Sequence, residues 1–344
     1  MRAEDLLTPT TNGLYCTAGD FFVDPVRPVA RAVITHGHAD HARSGHDAVL
    51  ATPGTLAIMA ARYGANFATA SQAAAYGETV MIGGVAVRFA PAGHVLGSAQ
   101  AVITHGGARV VVSGDYKRRP DTTCAPFEPV PCDVFISEAT FGLPVFRHPP
   151  DGQEIAKLLH SVRLFPERAH LVGAYALGKA QRVIALLRQA GWERLIYLHG
   201  AMVALCDLYQ RLGVELGDLR RVSDVKRDGL KGEIVLAPPS ALQDRWTRRL
   251  PDPVTAFASG WMRVRARARQ RGVELPLIIS DHADWDELTA TVSEVRPGAL
   301  WVTHGAEEAL VHWANAIGVP ARPLHLGGYD DEGDAPLAAP DAAA

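Results

Sequence analysis

The feature that most constrains this chain is a cluster of metal-ligating side chains at the end of a predicted strand. The apolar strand Ala32 to Thr35 leads directly into Thr35-His36-Gly37-His38-Ala39-Asp40-His41. Three imidazoles and a carboxylate within six residues would destabilise an ordinary core, because buried polar groups must be hydrogen-bonded or paired. A divalent metal satisfies all four together. Imidazole and carboxylate ligands suit zinc, with manganese or iron as alternatives.

The spacing within this cluster indicates two ions. His36 and His38 lie two residues apart and can point to one side, whereas Asp40 and His41 lie a turn further on and can face a second ion. A single isolated histidine is more often a surface or satisfied polar residue than a ligand. Four such residues in one turn favour the metal site.

Two downstream motifs also follow predicted strands. Pro91-Ala92-Gly93-His94-Val95-Leu96-Gly97-Ser98 comes after Val85 to Phe89, and Ser113-Gly114-Asp115 comes after Val110 to Val112. Either motif alone is a weak signal, because glycine beside histidine or aspartate is common in turns. In this order, with the His-x-His-x-Asp-His cluster, the chain resembles the metallo-β-lactamase superfamily.

That resemblance implies an α/β fold, the αββα sandwich, and a hydrolytic centre with two divalent metals, zinc first and manganese as the alternative. It also implies a ligand set in which one metal is bound by His36, His38 and His94, the other by Asp40 and His41, with Asp115 bridging them. Two metals lower the pKa of bound water towards about 7 and neutralise charge in the transition state, so hydrolysis is the expected reaction.

Four further motifs resemble the β-CASP group of this superfamily, which acts on nucleic acids. They are Ser137-Glu138-Ala139-Thr140-Phe141-Gly142, Ser280-Asp281-His282-Ala283-Asp284, Val302-Thr303-His304-Gly305 and Ala174-Tyr175-Ala176-Leu177-Gly178-Lys179-Ala180-Gln181. The resemblance implies that His304 completes the second metal site and that His282, oriented by Glu138, protonates the leaving oxygen. Asp40 joins these two as a catalytic residue.

Each of these motif residues has a plainer alternative. Glu138 could be a strand-end capping carboxylate, and His282 could be a polar residue at a helix start. For Asp281 or Asp284 we favour helix capping over catalysis, because a helix is predicted from about Trp285.

The alternation of apolar runs predicts two domains. The first part is strand-rich with one helix at Pro53 to Tyr63, and helices alternate with strands beyond Pro149, which predicts a parallel sheet flanked by helices. We expect a discontinuous metallo-β-lactamase domain at residues 1–145 and 276–328 and an inserted β-CASP domain at residues 146–275. Residues 329–344 are rich in Asp, Pro and Ala and predict a disordered tail.

Candidate substrate contacts come from local basic segments, because the net charge of −3 gives no basic signature to the whole chain. Arg263, Arg265, Arg267, Arg269 and Arg271 alternate with uncharged residues and would share one face of an extended strand. The alternative is a solvated face, or a helix paired with acids. Lys117, Arg118 and Arg119 form a second candidate, and Ser259 and Gly260 could offer backbone donors to a phosphate.

The expected function is that of a nuclease. The residues of these motifs look most like those of the bacterial DNA-ligase-associated exonucleases of the β-CASP group. These proteins are also described as mRNA 3′-end processing factor-like. This resemblance implies DNA repair, with 5′-end attack slightly favoured and a DNA ligase or helicase as partner. His304 favours the alternative, an RNA-processing nuclease, because RNA-acting members carry histidine there. A third alternative is a catalytically inactive nucleic-acid-binding scaffold.

The four scattered cysteines suit a reducing cytoplasm, and no apolar run of eighteen residues predicts a membrane span.

Overall fold

The computed structural model describes residues 2–324 and residue 326. The described residues separate into two compact units, one that runs up to Arg147 and resumes at Asp281, and one that spans His148–Ser280. None of the described helices combines the length and the apolar character that a bilayer crossing requires. The predicted tail, residues 329–344, lies outside the described residues.

The first unit begins with a strand-rich segment. Its elements are β1 (Thr8–Thr10), β2 (Gly13–Cys16), β3 (Phe21–Val23), β4 (Arg31–Val33), β5 (His46–Ala51), α1 (Pro53–Tyr63), β6 (Ala68–Ala73), β7 (Thr79–Ile82), β8 (Val85–Pro91), β9 (Ala99–His105), β10 (Ala108–Val112) and β11 (Val134–Ala139). Helix α1 begins where the sequence predicts, because Thr52 caps it by accepting a hydrogen bond from the Thr55 N–H and Pro53 is its first residue.

The second unit alternates helices and strands. Its elements are α2 (Asp151–Leu164), β12 (His170–Gly173), α3 (Lys179–Gln189), β13 (Ile196–Leu198), α4 (Gly200–Arg211), β14 (Leu219–Arg221), β15 (Ile234–Ala237), β16 (Val254–Ala258), α5 (Arg265–Arg271) and β17 (Leu275–Leu277). The first unit then closes with α6 (Trp285–Val295), β18 (Ala299–Gly305), α7 (Glu307–Ala316) and β19 (Ala321–Pro323).

The first unit contains two sheets, ordered β1-β2-β3-β4-β5-β6 and β19-β18-β11-β10-β9-β8-β7. Their facing sides share one apolar core, in which Phe21 and Leu50 of one sheet pack with Phe89 and Val110 of the other. Residues of opposite parity, such as Val111, pack against α6 and α7 through a separate apolar cluster, as the two-residue period of a strand requires.

Helix α1 covers the outer face of the other sheet, where Met59 packs with Ile34 and Val49. The layers are therefore helix, sheet, sheet, helix, and the predicted αββα sandwich is confirmed.

The second unit is built on a single sheet, ordered β14-β13-β15-β12-β16-β17, in which all five pairings are parallel. Strand β17 pairs with β16, so residues 276–280 group with this unit, whereas the predicted division gave them to the other domain. The reason is that β17 is the last strand of this sheet and ends at Leu277, two residues beyond the predicted boundary.

Candidate metal centre

The predicted ligands all lie in the first unit, at or just beyond the ends of strands. His36 to His41 follow β4, His94 follows β8 and Asp115 follows β10, while His304 lies near the end of β18. Because these strand ends meet at one edge of the sandwich, residues far apart in sequence come together in space.

The first group of ligand atoms surrounds one oxygen of Asp115. His36, His38, His94 and Asp115 are buried, and their nearest ligand atoms all lie within 4.8 Å of one another. Asp115 Oδ2 is 3.3 Å from His36 Nε2 and 3.7 Å from His94 Nε2, and His94 Nε2 is 2.9 Å from His38 Nδ1. These four residues therefore offer three nitrogens and one carboxylate oxygen to one point.

The second group faces the other oxygen of the same carboxylate. His41, Asp115 and His304 form it, and His41 Nε2 is 3.6 Å from Asp115 Oδ1. Asp40 Oδ2 lies 3.6 Å from the same nitrogen, and the Asp40 side chain is partly exposed. Asp115 thus presents Oδ2 to one set of histidines and Oδ1 to the other.

Asp24 holds His41 of the second group through the ring nitrogen that faces away from Asp115. This role was not predicted from the sequence. Its Oδ2 lies 2.9 Å from His41 Nδ1 and accepts a 2.6 Å hydrogen bond from Thr35 Oγ1, while its Oδ1 accepts from the Thr35 N–H at 2.8 Å. Asp24 has a positive φ of 44°, an uncommon conformation for a residue other than glycine. Such a carboxylate sets the tautomer of a ligating histidine and leaves Nε2 free for a metal. The sequence signal that could have indicated Asp24 is its position directly after the strand Phe21–Val23, like the predicted ligands that follow other strands.

The electrostatics of the centre suit bound cations. Burial holds the pKa of His36 and of His94 well below the usual range, so both imidazoles are neutral and offer lone pairs. His36 Nε2 is buried and makes no hydrogen bond to the described residues. Neutral imidazole is the form that binds metal. The donor set therefore fits divalent metal ions.

The buried carboxylates of the centre are stabilised by a nearby positive charge. Burial raises the pKa of Asp115 to about 8. Burial would lower the pKa of His41, but Asp115, Asp40 and Asp24 outweigh it and raise that pKa to about 10. The buried carboxylates thus favour a positive charge next to them, and a bound metal ion would supply that charge.

His282 and Glu138 form a hydrogen-bonded pair beside the first group. His282 Nδ1 is 3.0 Å from Glu138 Oε2, and Glu138 Oε1 accepts a 2.7 Å hydrogen bond from the Tyr116 N–H. The His282 and His94 rings lie 4.6 Å apart, between centroids. This arrangement leaves His282 Nε2 as the nitrogen that can carry or release a proton towards the centre.

Asp281 and Asp284, one of which the sequence predicted to cap a helix, have different surroundings. Asp284 caps α6 and exchanges hydrogen bonds with Glu287 in a capping box. Asp281 is fully buried, and its ligand atom groups with those of His94 and His282. Its backbone carbonyl also lies 2.9 Å from His94 Nδ1. Asp281 therefore lies at the centre. The sequence did not indicate this, because Asp281 also lies only four residues before the start of α6 and could be taken for a helix cap.

None of the side chains of Lys117, Arg118 and Arg119, the basic segment, is fully exposed. Lys117 is fully buried, and its Nζ donates to the His282 carbonyl oxygen at 3.5 Å. The N–H groups of Arg118 and Arg119 both donate to Glu287 Oε1, at 2.9 and 2.7 Å. Burial corrects the prediction that Lys117 contacts substrate, whereas Arg118 is partly exposed and its substrate contact stays a prediction.

Close packing around the centre requires glycine at two positions. Gly93 has a φ of +73°, and a Cβ there would lie 2.2 Å from the Lys117 carbonyl oxygen. Gly305 has a φ of +88°, and a Cβ there would lie 2.3 Å from the Ala139 carbonyl oxygen. These contacts hold the segments that carry His94 and His304 against their neighbours.

The other predicted substrate contacts lie in the second unit. The Ser259 hydroxyl accepts a 3.3 Å hydrogen bond from the Trp261 N–H, Gly260 is buried, and Arg263 is exposed. Residues Arg265–Arg271 form helix α5, so of the two interpretations left open by the sequence, an extended strand or a helix, the structure has the helix. Arginine, alanine and glutamine all favour helix, and Gly272 ends it in the left-handed conformation.

A family model and several protein relatives match this chain. Residues 22–170 match the model of the metallo-beta-lactamase superfamily. The chain is 27% identical to a probable DNA ligase of Opitutus terrae over 96% of its own length and 34% of that protein. It is 36% identical to the endoribonuclease ysh1 of Aspergillus fumigatus over 30% of its own length and 12% of that protein. The chain thus spans about a third or less of the length of these relatives.

A solved structure supports the fold. The crystal structure of a protein of unknown function from Enterococcus faecalis V583 has a TM-score of 0.54 with this chain, at 13% sequence identity, and the match covers 87% of this chain and 80% of that one.

Proposed function

Because the chain carries a metallo-β-lactamase superfamily domain, we propose that it is a metal-dependent nuclease that hydrolyses phosphodiester bonds with two divalent metals, zinc first and manganese as the alternative. The observation that carries this proposal is the orientation of Asp115. Its two carboxylate oxygens face separate sets of histidines, with Oδ2 3.3 Å from His36 Nε2 and Oδ1 3.6 Å from His41 Nε2. A shared carboxylate between two ligand sets is suited to a pair of ions.

In this mechanism His36, His38, His94 and Asp115 would hold one metal, and Asp40, His41, His304 and Asp115 the other. When bound, two such metals activate water near neutral pH and neutralise charge at phosphorus. Asp24 holds the His41 ring so that its Nε2 faces the centre.

His282 would supply the proton that the leaving oxygen needs. Glu138 accepts from His282 Nδ1, so the proton available for transfer resides on Nε2, on the side of the ring away from Glu138. A positioned general acid typically contributes about 10²- to 10⁴-fold to such a reaction. A thioester releases a thiolate, which leaves readily without a proton, so the His282–Glu138 pair suits the poorer alkoxide leaving group of a phosphodiester better than it suits a thioester.

We infer DNA as the first substrate, with exonucleolytic attack in repair and a DNA ligase or helicase as partner. The match to a probable DNA ligase over nearly the whole chain supports this. RNA is the second candidate, supported by His304 and by the shorter match to an endoribonuclease. The centre retains its ligands, so we place an inactive nucleic-acid-binding scaffold third. Ser259, Gly260, Arg263 and Arg265 remain proposed substrate contacts in a proposed β-CASP domain.

The test is a paired assay with 5′- and 3′-labelled DNA and RNA of one sequence, each with zinc and with manganese. We expect metal-dependent shortening of DNA from its 5′ end. Preferential cleavage of RNA would replace the substrate proposal. Failure to cut either polymer, or the small diester bis-p-nitrophenyl phosphate, under any metal would contradict the nuclease itself.

A further inference from the structure

The second unit concentrates positive charge in two neighbouring segments, residues 243–249 and 259–273. Together they contain eight arginines and a single acidic residue, Asp244, in a chain whose net charge is −3. The arginines are Arg245, Arg248, Arg249, Arg263, Arg265, Arg267, Arg269 and Arg271. Gln243 Nε2 donates a 3.4 Å hydrogen bond to the Arg271 carbonyl oxygen, which joins the two segments. We call these eight residues the arginine surface.

No acidic side chain among the described residues neutralises the charges of the arginine surface. All eight arginines are exposed, and among the described residues none of them forms an ion pair. The one acid, Asp244, uses its carboxylate to accept a 3.0 Å hydrogen bond from the Trp246 N–H. Elsewhere in the same unit arginines do have partners, as Arg168 pairs with Glu274 and Arg182 with Asp151.

Helix α5 sorts its four arginines into two pairs. At about 3.6 residues per turn, residues four apart share a side of the helix. Arg267 and Arg271 form one pair and stack on the protein, with their guanidinium carbons 3.8 Å from the Trp261 ring centroid and 5.3 Å from that of Phe257. Arg265 and Arg269 form the other pair, about 200° around the helix from the first, and point away from those rings.

The outward pair is electrostatically unfavourable for the helix itself. Like charges four residues apart repel, and Arg265 lies at the helix N-terminus, where the macrodipole favours an anion. The first turn contains no acidic residue, and Val264 provides no side-chain cap. A helix of only seven residues gains little from its own hydrogen bonds. These charges are therefore not explained by stability, and an external anion would satisfy them.

We propose that the arginine surface binds the phosphate backbone of a nucleic acid, with Arg265 and Arg269 as its principal contacts. Guanidinium groups grip phosphates in bidentate fashion, and a row of them suits a regularly spaced polyanion. Such contacts carry no base or sugar information, so they anchor DNA and RNA alike. This inference rests on the proposed function for its choice of polyanion, and it adds an anchoring site that is separate from the residues of the metal centre.

The test measures binding of fluorescein-labelled phosphorothioate DNA and RNA by anisotropy across a salt series, with the metal-loaded protein. For Arg265→Ala/Arg269→Ala we expect roughly tenfold weaker binding of both polymers at low salt. The slope of log affinity against log salt should become shallower by about two for duplex DNA. The control is Arg163→Ala/Arg211→Ala, which removes two exposed arginines from α2 and α4 of the same unit and should leave both quantities unchanged.

The outcomes separate this inference from the proposed function. Hydrolysis of bis-p-nitrophenyl phosphate by the control variant Arg163→Ala/Arg211→Ala should equal that by the unmodified protein. If the unmodified protein does not hydrolyse it but the anisotropy result stands, the nuclease proposal fails alone. Equal binding by both double variants would overturn the arginine surface. Binding of poly-glutamate in place of either nucleic acid would overturn it too, in favour of an acidic protein.

Discussion

Residues 117–119 and the arginine surface have similar sequence signatures but different surroundings. Lys117 is buried against the His282 carbonyl, and Arg119 pairs with Asp284 at 2.7 Å. The exposed arginines of α5 instead contact aromatic rings or solvent. The difference teaches that basic residues next to a catalytic centre can be structural, while those further along the chain carry the accessible charge.

This contrast follows from where the counter-charges lie. Helix α6 begins at the end of the segment that carries His282, and its capping box brings Asp284 and Glu287 against residues 117–119. No acid occurs between residues 259 and 273 to play that part for α5. Changes in the first segment should therefore alter stability and turnover, whereas changes in the second should alter binding of a polyanion.

The largest effect should come from Asp115→Asn, two residues before Lys117. The amide removes the negative charge that both ligand groups share, so we expect turnover to fall by about 10⁴-fold or more. Binding of a phosphorothioate oligonucleotide should stay within about threefold, because the arginine surface is untouched. Single-turnover kinetics measure turnover and anisotropy measures binding. An equal loss of both would mean that the metal centre and the arginine surface do not have separate roles in turnover and binding.

His282→Ala should have the next largest effect. Loss of the general acid should reduce turnover by about 10³-fold, while the metal content of the protein stays the same. Elemental analysis of the purified variant checks this alongside the rate. The matched variant Glu138→Gln keeps a hydrogen-bonding group next to His282 Nδ1 and should lose less. A fall in bound metal for His282→Ala would instead reassign His282 as a ligand, which its grouping with Asp115 and Glu138 makes a meaningful test.

Local sequence signals predicted the parts of the structure that depend on them. Helix α1 has the predicted bounds and α6 begins at the predicted Trp285, where the Asp284–Glu287 capping box fixes its start. Strands in which apolar and polar residues do not alternate cannot be predicted from this pattern. Strand β6 is the example, since almost all its residues are exposed and small or polar.

The sequence predicted residues that come together at the candidate centre, but not the residues that hold them in place. The ligands share residue types that stand out in sequence, and their convergence follows from strand order. Asp24 and Asp281 act through contacts with His41 and His94 that no spacing rule anticipates. The surroundings of Lys117 depend on a segment about 165 residues later, so only the folded chain reveals them.

Lys117→Met should destabilise the first unit by about 3 kcal/mol, because a buried cation is removed and Glu287 loses one of its partners. The Nζ atom lies 4.0 Å from Glu287 Oε2 as well as near the His282 carbonyl. Urea unfolding of the metal-loaded protein measures the loss. Arg249→Met, the matched change in the arginine surface, should stay within about 0.5 kcal/mol. Equal effects of the two substitutions would erase the contrast between buried and accessible charge.

The smallest effect should have the opposite sign. Arg265→Ala removes a positive charge from the N-terminus of α5 and its repulsion with Arg269, and it introduces the best helix former. We expect the free energy of unfolding of the second unit to rise by about 0.5 kcal/mol at low salt. The gain should shrink as added salt screens both interactions. Arg269→Ala, at the favourable end of the same helix, should gain less. Destabilisation by Arg265→Ala would mean that this guanidinium has a structural partner, and then it could not serve as a free contact for phosphate.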